Sequence, residues 1–293
     1  MDAMYYLGVD GGGSVTSCCC IDENANELLH IKGGSVNYRF EGMEKARENM
    51  RRMLEEIKST LGGEPAAAFI GNSALGGEAP ENELKEFTEG IFRCPVKMHS
   101  DVYIALKACC VDNACIVIAG TGSMAAGFDS DGNVVTRGGF GAVLGDEGSG
   151  YRIAEQALRT AVLSSQDAVP FTALEDETFD FFDVCDNDSL IDKFCGGLTR
   201  GEIAAFAERV CECAANGDEA ADAVINEQTR LLSLTVKSLI GELPSKPNIF
   251  VSGGMFKNDV FRFYFKKHMN VDSLFAPRYS PEFAAAIEAK KTV

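Results

Sequence analysis

The sequence predicts an α/β protein made of two related halves, each a mixed β-sheet covered by helices. Two observations lead to this prediction. Segments with strand character alternate with segments of helical period along most of the chain. In addition, residues 7–34 and 116–139 share one pattern of apolar strand, glycine-rich turn, second strand, polar turn and third strand. We interpret this internal echo as a duplication.

A shift of 109 residues aligns the two echoes and superimposes both of their turns. The aligned pairs are Gly11 with Gly120, Gly13 with Gly122, Ser14 with Ser123, Asp22 with Asp131, and Asn24 with Asn133. Glycine and polar residues are common in turns, so single matches carry little weight. The agreement of the whole strand and turn pattern favours duplication.

The remaining elements follow each echo in order. In the first half the apolar spacing predicts a helix over 43–61, a strand over 66–71, a helix over 81–92, a strand over 96–98 and a helix over 102–110. In the second half it predicts helices over 150–164, 200–215 and 219–243, a strand over 248–252, and helices after Lys257 and Pro281. We place the domain boundary near residue 112, which gives domains 1–112 and 113–293 with a hinge at 110–114.

Residues 165–199 are the least regular stretch, and they are acidic and rich in phenylalanine. We interpret them as a helical insertion with an interaction face. A homodimer contact through this insertion is left open. The last helix, 281–290, is a candidate for packing back on the first domain.

Charge and composition exclude several classes of partner. The chain has 293 residues, with 27 Lys and Arg against 44 Asp and Glu, which gives a net charge of −17. Nucleic acids and anionic membranes are bound by clustered cations, so both are disfavoured. No signal peptide and no apolar run long enough to span a bilayer is found in the sequence, and we expect a cytoplasmic protein. The eleven cysteines, an odd number, suit a reducing compartment.

Three glycine turns follow apolar strands, at 10–14, 120–123 and 253–254. Such turns let backbone N–H groups approach a phosphate, although none of the three matches a Walker A loop. One turn alone is equally consistent with a purely conformational role. Together they predict a nucleotide clamped in a cleft between the two domains, with Asp10 holding Mg²⁺ through water. A structural cap on the following turn is the alternative for Asp10.

The sequence resembles the N-acetylglucosamine kinase branch of the BadF/BadG/BcrA/BcrD ATPases, within the actin and hexokinase superfamily. The similarity spans nearly the whole chain. The motifs that carry it are GVDGGGS at 8–14, SVN at 35–37, HSD at 99–101, IAGTGS at 118–123, GGFGAVLGDEGSGYRIA at 138–154, AANGD at 214–218 and VSGGM at 251–255. The resemblance implies two ribonuclease H-like, or actin-like, domains with mixed five-stranded sheets. It also implies ATP and Mg²⁺ as cofactors and a small sugar as substrate.

The resemblance further implies roles for individual residues. Those implied to bind the nucleotide or its metal are Asp10, Gly11, Gly12, Gly13, Ser14, Gly120, Thr121, Gly122, Gly217, Gly253 and Gly254, with Asp10 meeting the metal. Those implied to line the sugar pocket are Asn37, Asp101, Ser123, Gly139, Phe140, Gly141 and Asp146. Asp101 would be the general base that accepts the proton of the sugar 6-hydroxyl.

Two of these acidic residues keep a simpler interpretation. From its local sequence, Asp101 is as well explained as a helix N-cap that accepts from the N–H of Ile104. Asp146 lies next to glycine, and a solvated turn is the alternative to a sugar contact.

Two positions depart from the family pattern. Met124 stands where these kinases often have a polar residue, and Phe140 stands where tryptophan is common. Two alternatives to the sugar kinase remain, the first favoured by the many cysteines and the second left open by Met124. One is an ATP-driven activator of a 2-hydroxyacyl-CoA dehydratase or benzoyl-CoA reductase, which would carry a cysteine-bound iron–sulfur cluster; the other is a nucleotide-binding regulator without turnover.

Overall fold

The computed structural model describes residues 4–13 and 15–293. It divides into two compact units, one formed by Met1–Asp112 with Pro277–Val293 and the other by Asn113–Ala276. Each unit is a mixed β-sheet with helices packed on it, as the sequence predicted. None of the helices in the described ranges is long and apolar enough to cross a membrane.

The elements run in chain order as follows. The first stretch holds β1 (Tyr6–Gly11), β2 (Val15–Ile21), β3 (Glu27–Gly34), α1 (Tyr38–Glu41), α2 (Met43–Leu61), β4 (Ala67–Asn72), α3 (Glu81–Thr88), β5 (Val96–His99) and α4 (Asp101–Ala108). The second holds β6 (Ala114–Ala119), β7 (Ser123–Phe128), β8 (Val134–Gly138), α5 (Gly141–Leu144), α6 (Gly150–Ser164), α7 (Ala173–Phe182), α8 (Asn187–Cys195), α9 (Arg200–Ala205), α10 (Ala207–Ala215) and α11 (Glu219–Ile240). The last holds β9 (Asn248–Ser252), a 3₁₀ turn (Gly254–Lys257), α12 (Asp259–Met269) and α13 (Pro281–Lys290).

The sheet of the first unit has the order β3-β2-β1-β4-β5. β1 pairs antiparallel with β2 and parallel with β4. The central strands are apolar on both faces because helices cover both sides of the sheet. On one side lies α2, whose buried stripe of Met50, Met53, Leu54 and Ile57 has helical spacing. Because β1 and β4 are parallel, their carboxyl ends lie at the same edge of the sheet. Asp10 and Gly11 lie at this edge.

The final helix α13 packs closely on β1, and Gly8 permits this approach. A Cβ on Gly8 would lie 2.0 Å from the carbonyl oxygen of Glu282 and 2.1 Å from the backbone nitrogen of Ala286. Any side chain at residue 8 would therefore push the helix away from the strand. The buried alanines of α13 have small side chains, so the helix can lie close to the strand.

The sheet of the second unit has the order β8-β7-β6-β9, with β6 and β9 parallel. The expectation of five strands is wrong here, since the described residues form four. The place beside β9 is taken by a single bridge between Phe250 and Phe275. The core lies between this sheet and α6, α10, α11 and α12.

The two hairpin echoes have the same topology but differ in length at the first turn. Residues 12–15 connect the paired Gly11 and Thr16, whereas only 120–122 connect the paired Ala119 and Ser123. One uniform shift of 109 is therefore wrong. At the second turn Asp22 corresponds to Asp129 rather than Asp131, because each of these two carboxylates accepts from the backbone N–H groups two and four residues further on.

The acidic stretch 165–199 forms the helices α7 and α8. Several of its phenylalanines pack inward against Phe206 rather than facing solvent, with ring centroids of Phe181 and Phe182 at 5.3 and 5.6 Å from that of Phe206. Phe206 also interrupts the helix that the sequence predicted over 200–215, because its N–H bonds to the carbonyl of Ile203 and tightens the turn.

Candidate active site

The first glycine turn begins at the end of β1. A Cβ on Gly11 would lie 2.5 Å from Val36 Cγ2 and 2.9 Å from the carbonyl oxygen of Gly71, so only glycine fits. A Cβ on Gly12 would lie 2.9 Å from the carbonyl oxygen of Val15, whereas a Cβ on Gly13 would enter open space. Ser14 lies outside the described residues. The turn is thus held against the sheet on one side and open on the other.

Hydrogen bonds from two neighbouring segments fix this turn. Ser35 Oγ donates to the carbonyl of Gly12 at 2.9 Å, and the N–H of Ser73 donates to the carbonyl of Gly11 at 2.9 Å. Both carbonyls are therefore tied down. In the described part of the turn, the backbone N–H groups of Gly12 and Gly13 are the donors that a ligand could meet.

Asp10 is the carboxylate at the end of β1. Burial, with the nearby carboxylates Asp101 and Glu282, raises the pKa of Asp10 to about 7. Desolvation disfavours the charged form, and a second negative charge disfavours it further. The site is therefore short of positive charge, which a cation or a cationic ligand would supply.

Asp101 is the first residue of α4, and the N-cap alternative for it is wrong. Ser100 caps the helix, since its Oγ accepts from the N–H of Tyr103 at 3.3 Å. Asp101 Oδ1 accepts from the N–H of Val102 at 2.8 Å. Burial raises the pKa of the Asp101 carboxyl, although backbone hydrogen bonds oppose the effect. Its side chain is thus not needed as the helix cap, and it is more basic than an exposed aspartate.

Asn37 is fully buried beside the first glycine turn. Its Oδ1 accepts from the N–H groups of Arg39 and Phe40, and it caps the short helix α1. Its Nδ2 donates to Ser73 Oγ at 2.8 Å. The amide is therefore rigidly oriented, with one Nδ2 hydrogen left over for a ligand.

The second glycine turn joins β6 to β7 in the other unit. The N–H of Gly120 bonds to the carbonyl of Gly122 at 2.9 Å, and the carbonyl of Gly120 accepts from the N–H of Gly150 at 2.8 Å. Gly150 is the first residue of α6, and the N–H of Tyr151 bonds to the carbonyl of Thr121. The start of α6 thereby fixes the turn.

Ser123 and Asp146 lie next to this turn. Ser123 Oγ donates to the carbonyl of Glu147 at 2.7 Å, which anchors the GDEG segment. Asp146 is 4% exposed and has a positive φ of 64°. Its Oδ2 pairs with Nη2 of Arg200 at 2.6 Å. The solvated turn is therefore wrong for Asp146, whose carboxylate is buried and paired.

The residues just before Asp146, 139–144, carry exposed apolar side chains. Gly139 and Gly141 have φ values of 74° and 78°, and Phe140 between them is 71% exposed. The next hydrophobic residues, Val143 and Leu144, are 91% and 79% exposed. Met124 packs beneath Gly139, with Cε 3.8 Å from where a Cβ would stand. Met124 thus supports the loop that carries Phe140.

A cavity of about 550 Å³ opens beside the second glycine turn, which is a usual size for a cofactor site. Its lining includes Gly120, Thr121 and Gly254, three of the predicted nucleotide residues. The other lining residues are Gly150, Gly201, Ala204, Ala205, Ala207, Glu208, Cys211, Met255, Lys257 and Asn258. Most are small, so backbone forms much of the wall, as a flat aromatic base requires.

Gly253 and Gly217 have different positions. Gly253 has a φ of 100°, and a Cβ on it would lie 2.3 Å from the carbonyl of Ala119, so it shapes the turn that presents Gly254. Gly217, with a φ of 93°, follows α10 and is not one of the described lining residues. The structure therefore brings Gly254, but not Gly217, to the cavity together with the second turn.

Sequence reasoning missed Glu208, Lys257 and Arg200. The first two line the cavity, and Arg200 pairs with Asp146 from 54 residues away. Glu208 also lies close enough to Cys211 to add to the burial that raises the pKa of that thiol to about 12. None of the three lies in a recognisable local motif. A single charged residue in the sequence normally indicates only an exposed surface, so nothing in the sequence singled them out.

The fold is shared with known structures. Two solved structures superimpose along nearly the whole chain: a candidate N-acetylglucosamine kinase of Chromobacterium violaceum (24% identity, TM-score 0.77, 98% of this chain and 99% of the other) and a ROK family glucokinase of Streptomyces griseus (15% identity, TM-score 0.56, 98% and 99%). The fold is that of the actin-like ATPases and sugar kinases.

The family follows from the sequence profile. The profile of the BadF/BadG/BcrA/BcrD ATPase family matches residues 7–289, and the chain belongs to that family. One relative, the N-acetylmuramic acid/N-acetylglucosamine kinase of Clostridium acetobutylicum, is 29% identical over 282 residues, which cover 92% of this chain and 91% of the relative. Another, the N-acetyl-D-glucosamine kinase of Dictyostelium discoideum, is 25% identical over 259 residues, with coverages of 83% and 81%.

Proposed function

We propose that this protein is an amino sugar kinase that transfers the γ-phosphate of ATP to the 6-hydroxyl of N-acetylglucosamine or glucosamine. The observation that carries the proposal is the cavity beside the second glycine turn, lined by Gly120, Thr121 and Gly254. Membership of an ATPase family supports ATP as the nucleotide. The two amino sugar kinases that match most of the chain support the acceptor.

The second unit binds the nucleotide in this proposal. The base and ribose occupy the cavity near Gly254, which presents no side chain of its own and faces open space. The phosphates meet the turn Gly120–Gly122, whose backbone is fixed by the start of α6. In the first unit, the backbone N–H groups of the described turn residues Gly12 and Gly13 are the donors suited to a phosphate.

Asp101 is the general base. As the 6-hydroxyl oxygen bonds to the γ-phosphorus, its proton passes to an Asp101 carboxylate oxygen, the bond from phosphorus to the bridging oxygen breaks, and ADP leaves. Such a base contributes a rate factor of about 10²–10⁴. The burial that raises the pKa of Asp101 makes it a stronger acceptor.

Asp10 suits a magnesium ion that arrives with the triphosphate. No group of three or more His, Cys, Asp or Glu among residues 4–13 and 15–293 could hold a metal ion on its own. Mg²⁺ usually takes one or two carboxylates plus substrate phosphates, which matches the single carboxylate of Asp10. When bound, the ion would neutralise phosphate charge, and Asp10 would hold it through water.

Each unit, taken by itself, offers groups suited to a sugar in this proposal. Asn37 offers an oriented amide and Asp146 a buried carboxylate, and both suit hydroxyl groups. Ser123, Gly139 and Gly141 shape the backbone near Asp146 within the second unit. Phe140 supplies an apolar wall for the sugar ring or the acetyl group, and its high exposure leaves its face available.

The test is ADP formation with purified protein, Mg²⁺ and ATP against a panel of sugars. The panel contains N-acetylglucosamine, glucosamine, N-acetylmuramic acid, N-acetylmannosamine, glucose and no sugar. We expect ADP release to depend on an amino sugar, and NMR of the product to place phosphorus on the 6-oxygen. Phosphorylation at another hydroxyl would overturn the position. ATP hydrolysis that no sugar changes, in an iron-containing brown protein, would replace the kinase by the activator; ATP binding without any turnover would favour the regulator.

A further inference from the structure

An ion pair with Asp146 places Arg200 beside the second glycine turn. It is the first residue of α9, and its Nη2 donates to the buried Oδ2 of Asp146 at 2.6 Å. That same oxygen lies 2.9 Å from where a Cβ on Gly122 would stand. The same Asp146 oxygen therefore contacts the Arg200 guanidinium on one side and lies beside the turn on the other.

Two further contacts fix the position of the guanidinium. Its Cζ lies 5.5 Å from the ring centroid of Tyr151, whose N–H bonds to the carbonyl of Thr121. The next residue, Gly201, lines the cavity, as does Ala204 one turn later. Arg200 is not itself a lining residue, but it directly precedes Gly201 and lies on the side of the glycine turn.

The chemistry of the turn calls for a cation. The turn Gly120–Gly122 offers backbone donors and one threonine, and it has no lysine of the Walker type. Phosphoryl transfer relies on neutralising the charge of the terminal phosphates. The Arg200 side chain is half exposed, and its hydrogen bond to Asp146 uses one of its five N–H groups.

We propose that Arg200 contacts the terminal phosphates of the bound nucleotide and selects a triphosphate or diphosphate over a monophosphate. This inference rests on the proposed nucleotide site. The pair with Asp146 holds the guanidinium in place before the nucleotide binds. Arg200 is then a catalytic residue, because it touches the group that is transferred.

The test measures the affinity of Arg200→Ala for a non-hydrolysable ATP analogue, ADP and AMP by calorimetry. We expect roughly 10- to 100-fold weaker binding of the analogue, a smaller loss for ADP and no change for AMP, as for the loss of a charge-assisted contact. Arg200→Lys should recover part of the affinity. Arg209→Ala is the matched control: Arg209 is similarly exposed and ion-paired in the same unit, but it pairs with Glu177 and not with Asp146 beside the turn.

Removing Arg200 alone leaves the Asp146 charge buried and unpaired, which can destabilise the fold. The double variant Arg200→Ala with Asp146→Asn removes both charges and should show the same loss of triphosphate preference. Equal losses for all three nucleotides, or a raised sugar KM with unchanged nucleotide affinity, would overturn the proposal. Wild-type protein that binds no nucleotide overturns this inference and the nucleotide site together, whereas nucleotide binding without sugar phosphorylation overturns only the kinase.

Discussion

Asp10 carries an electrostatic cost in the folded protein. Its pKa of about 7 is raised mainly by burial and further by Asp101 and Glu282. A carboxyl with a raised folded pKa stabilises the fold below its unfolded pKa, and this contribution is lost as the pH rises to about 7. At pH 8 the folded protein must keep a charge that the unfolded chain solvates freely.

Asp10→Asn should therefore unfold at higher urea concentration than the wild type at pH 8, and the difference should shrink towards pH 5. Urea titrations at the two pH values, followed by circular dichroism, measure it. Asp22→Asn is the control: hydrogen bonds from Asn26 lower the pKa of the exposed Asp22, so its difference from the wild type should not vary between pH 5 and pH 8. A difference between Asp10→Asn and wild type that does not vary with pH would show that the Asp10 charge is not the cause.

At the scale of residues, the sequence indicated that Gly120, Thr121 and Gly254 lie in turns, because a tight turn directly after an apolar strand favours glycine. It could not decide between base and cap for Asp101. Ser100 and Asp101 are both good caps, and only the backbone geometry shows that Ser100 takes this role. Arg200 could not be predicted, since nothing near it in the sequence indicates its pairing with Asp146.

Among the elements, those with long regular patterns were predicted closely. The helices 43–61 and 150–164 and the strand 248–252 begin and end where the pattern placed them. The short helices α1 and α5 were missed because a single turn has no period to detect. The break at Phe206 was also missed, since it depends on the aromatic side chains packed around it.

The AANGD motif shows why a family pattern does not assign a role by itself. Asp218 caps α11 and accepts from the hydroxyl of Thr172 and the N–H of Ala173. It thereby ties the start of α7 to the start of α11. This contact gives the motif a structural reason that is independent of any nucleotide.

The packing of α13 on β1 gives a prediction at the scale of elements. Gly8→Ala should lower the free energy of unfolding by about 1–3 kcal/mol, because its Cβ would meet the backbone of α13 and the helix must move. Thermal or urea unfolding measures the loss. Gly76→Ala is the matched control, since a Cβ there meets nothing within 4 Å. Equal stabilities for the two variants would mean that α13 does not lie close to β1.

For the whole molecule, alternating strands and helices were enough to predict two mixed sheets with helical cover. They were not enough to count the strands, because the segment at Phe275 forms one bridge instead of a strand. The domain boundary at residue 112, the movement at its hinge and a homodimer stay predictions. So do the roles of Gly217 and Ser14 in nucleotide binding.

The central claim is that Asp101 accepts the sugar proton while other residues bind the nucleotide. The most direct test compares Asp101→Asn with the wild type in steady-state phosphorylation of the best amino sugar and in calorimetric binding of ATP. We predict that kcat falls at least about 100-fold and that the Kd for ATP changes less than about twofold. A kcat close to that of the wild type would contradict the account.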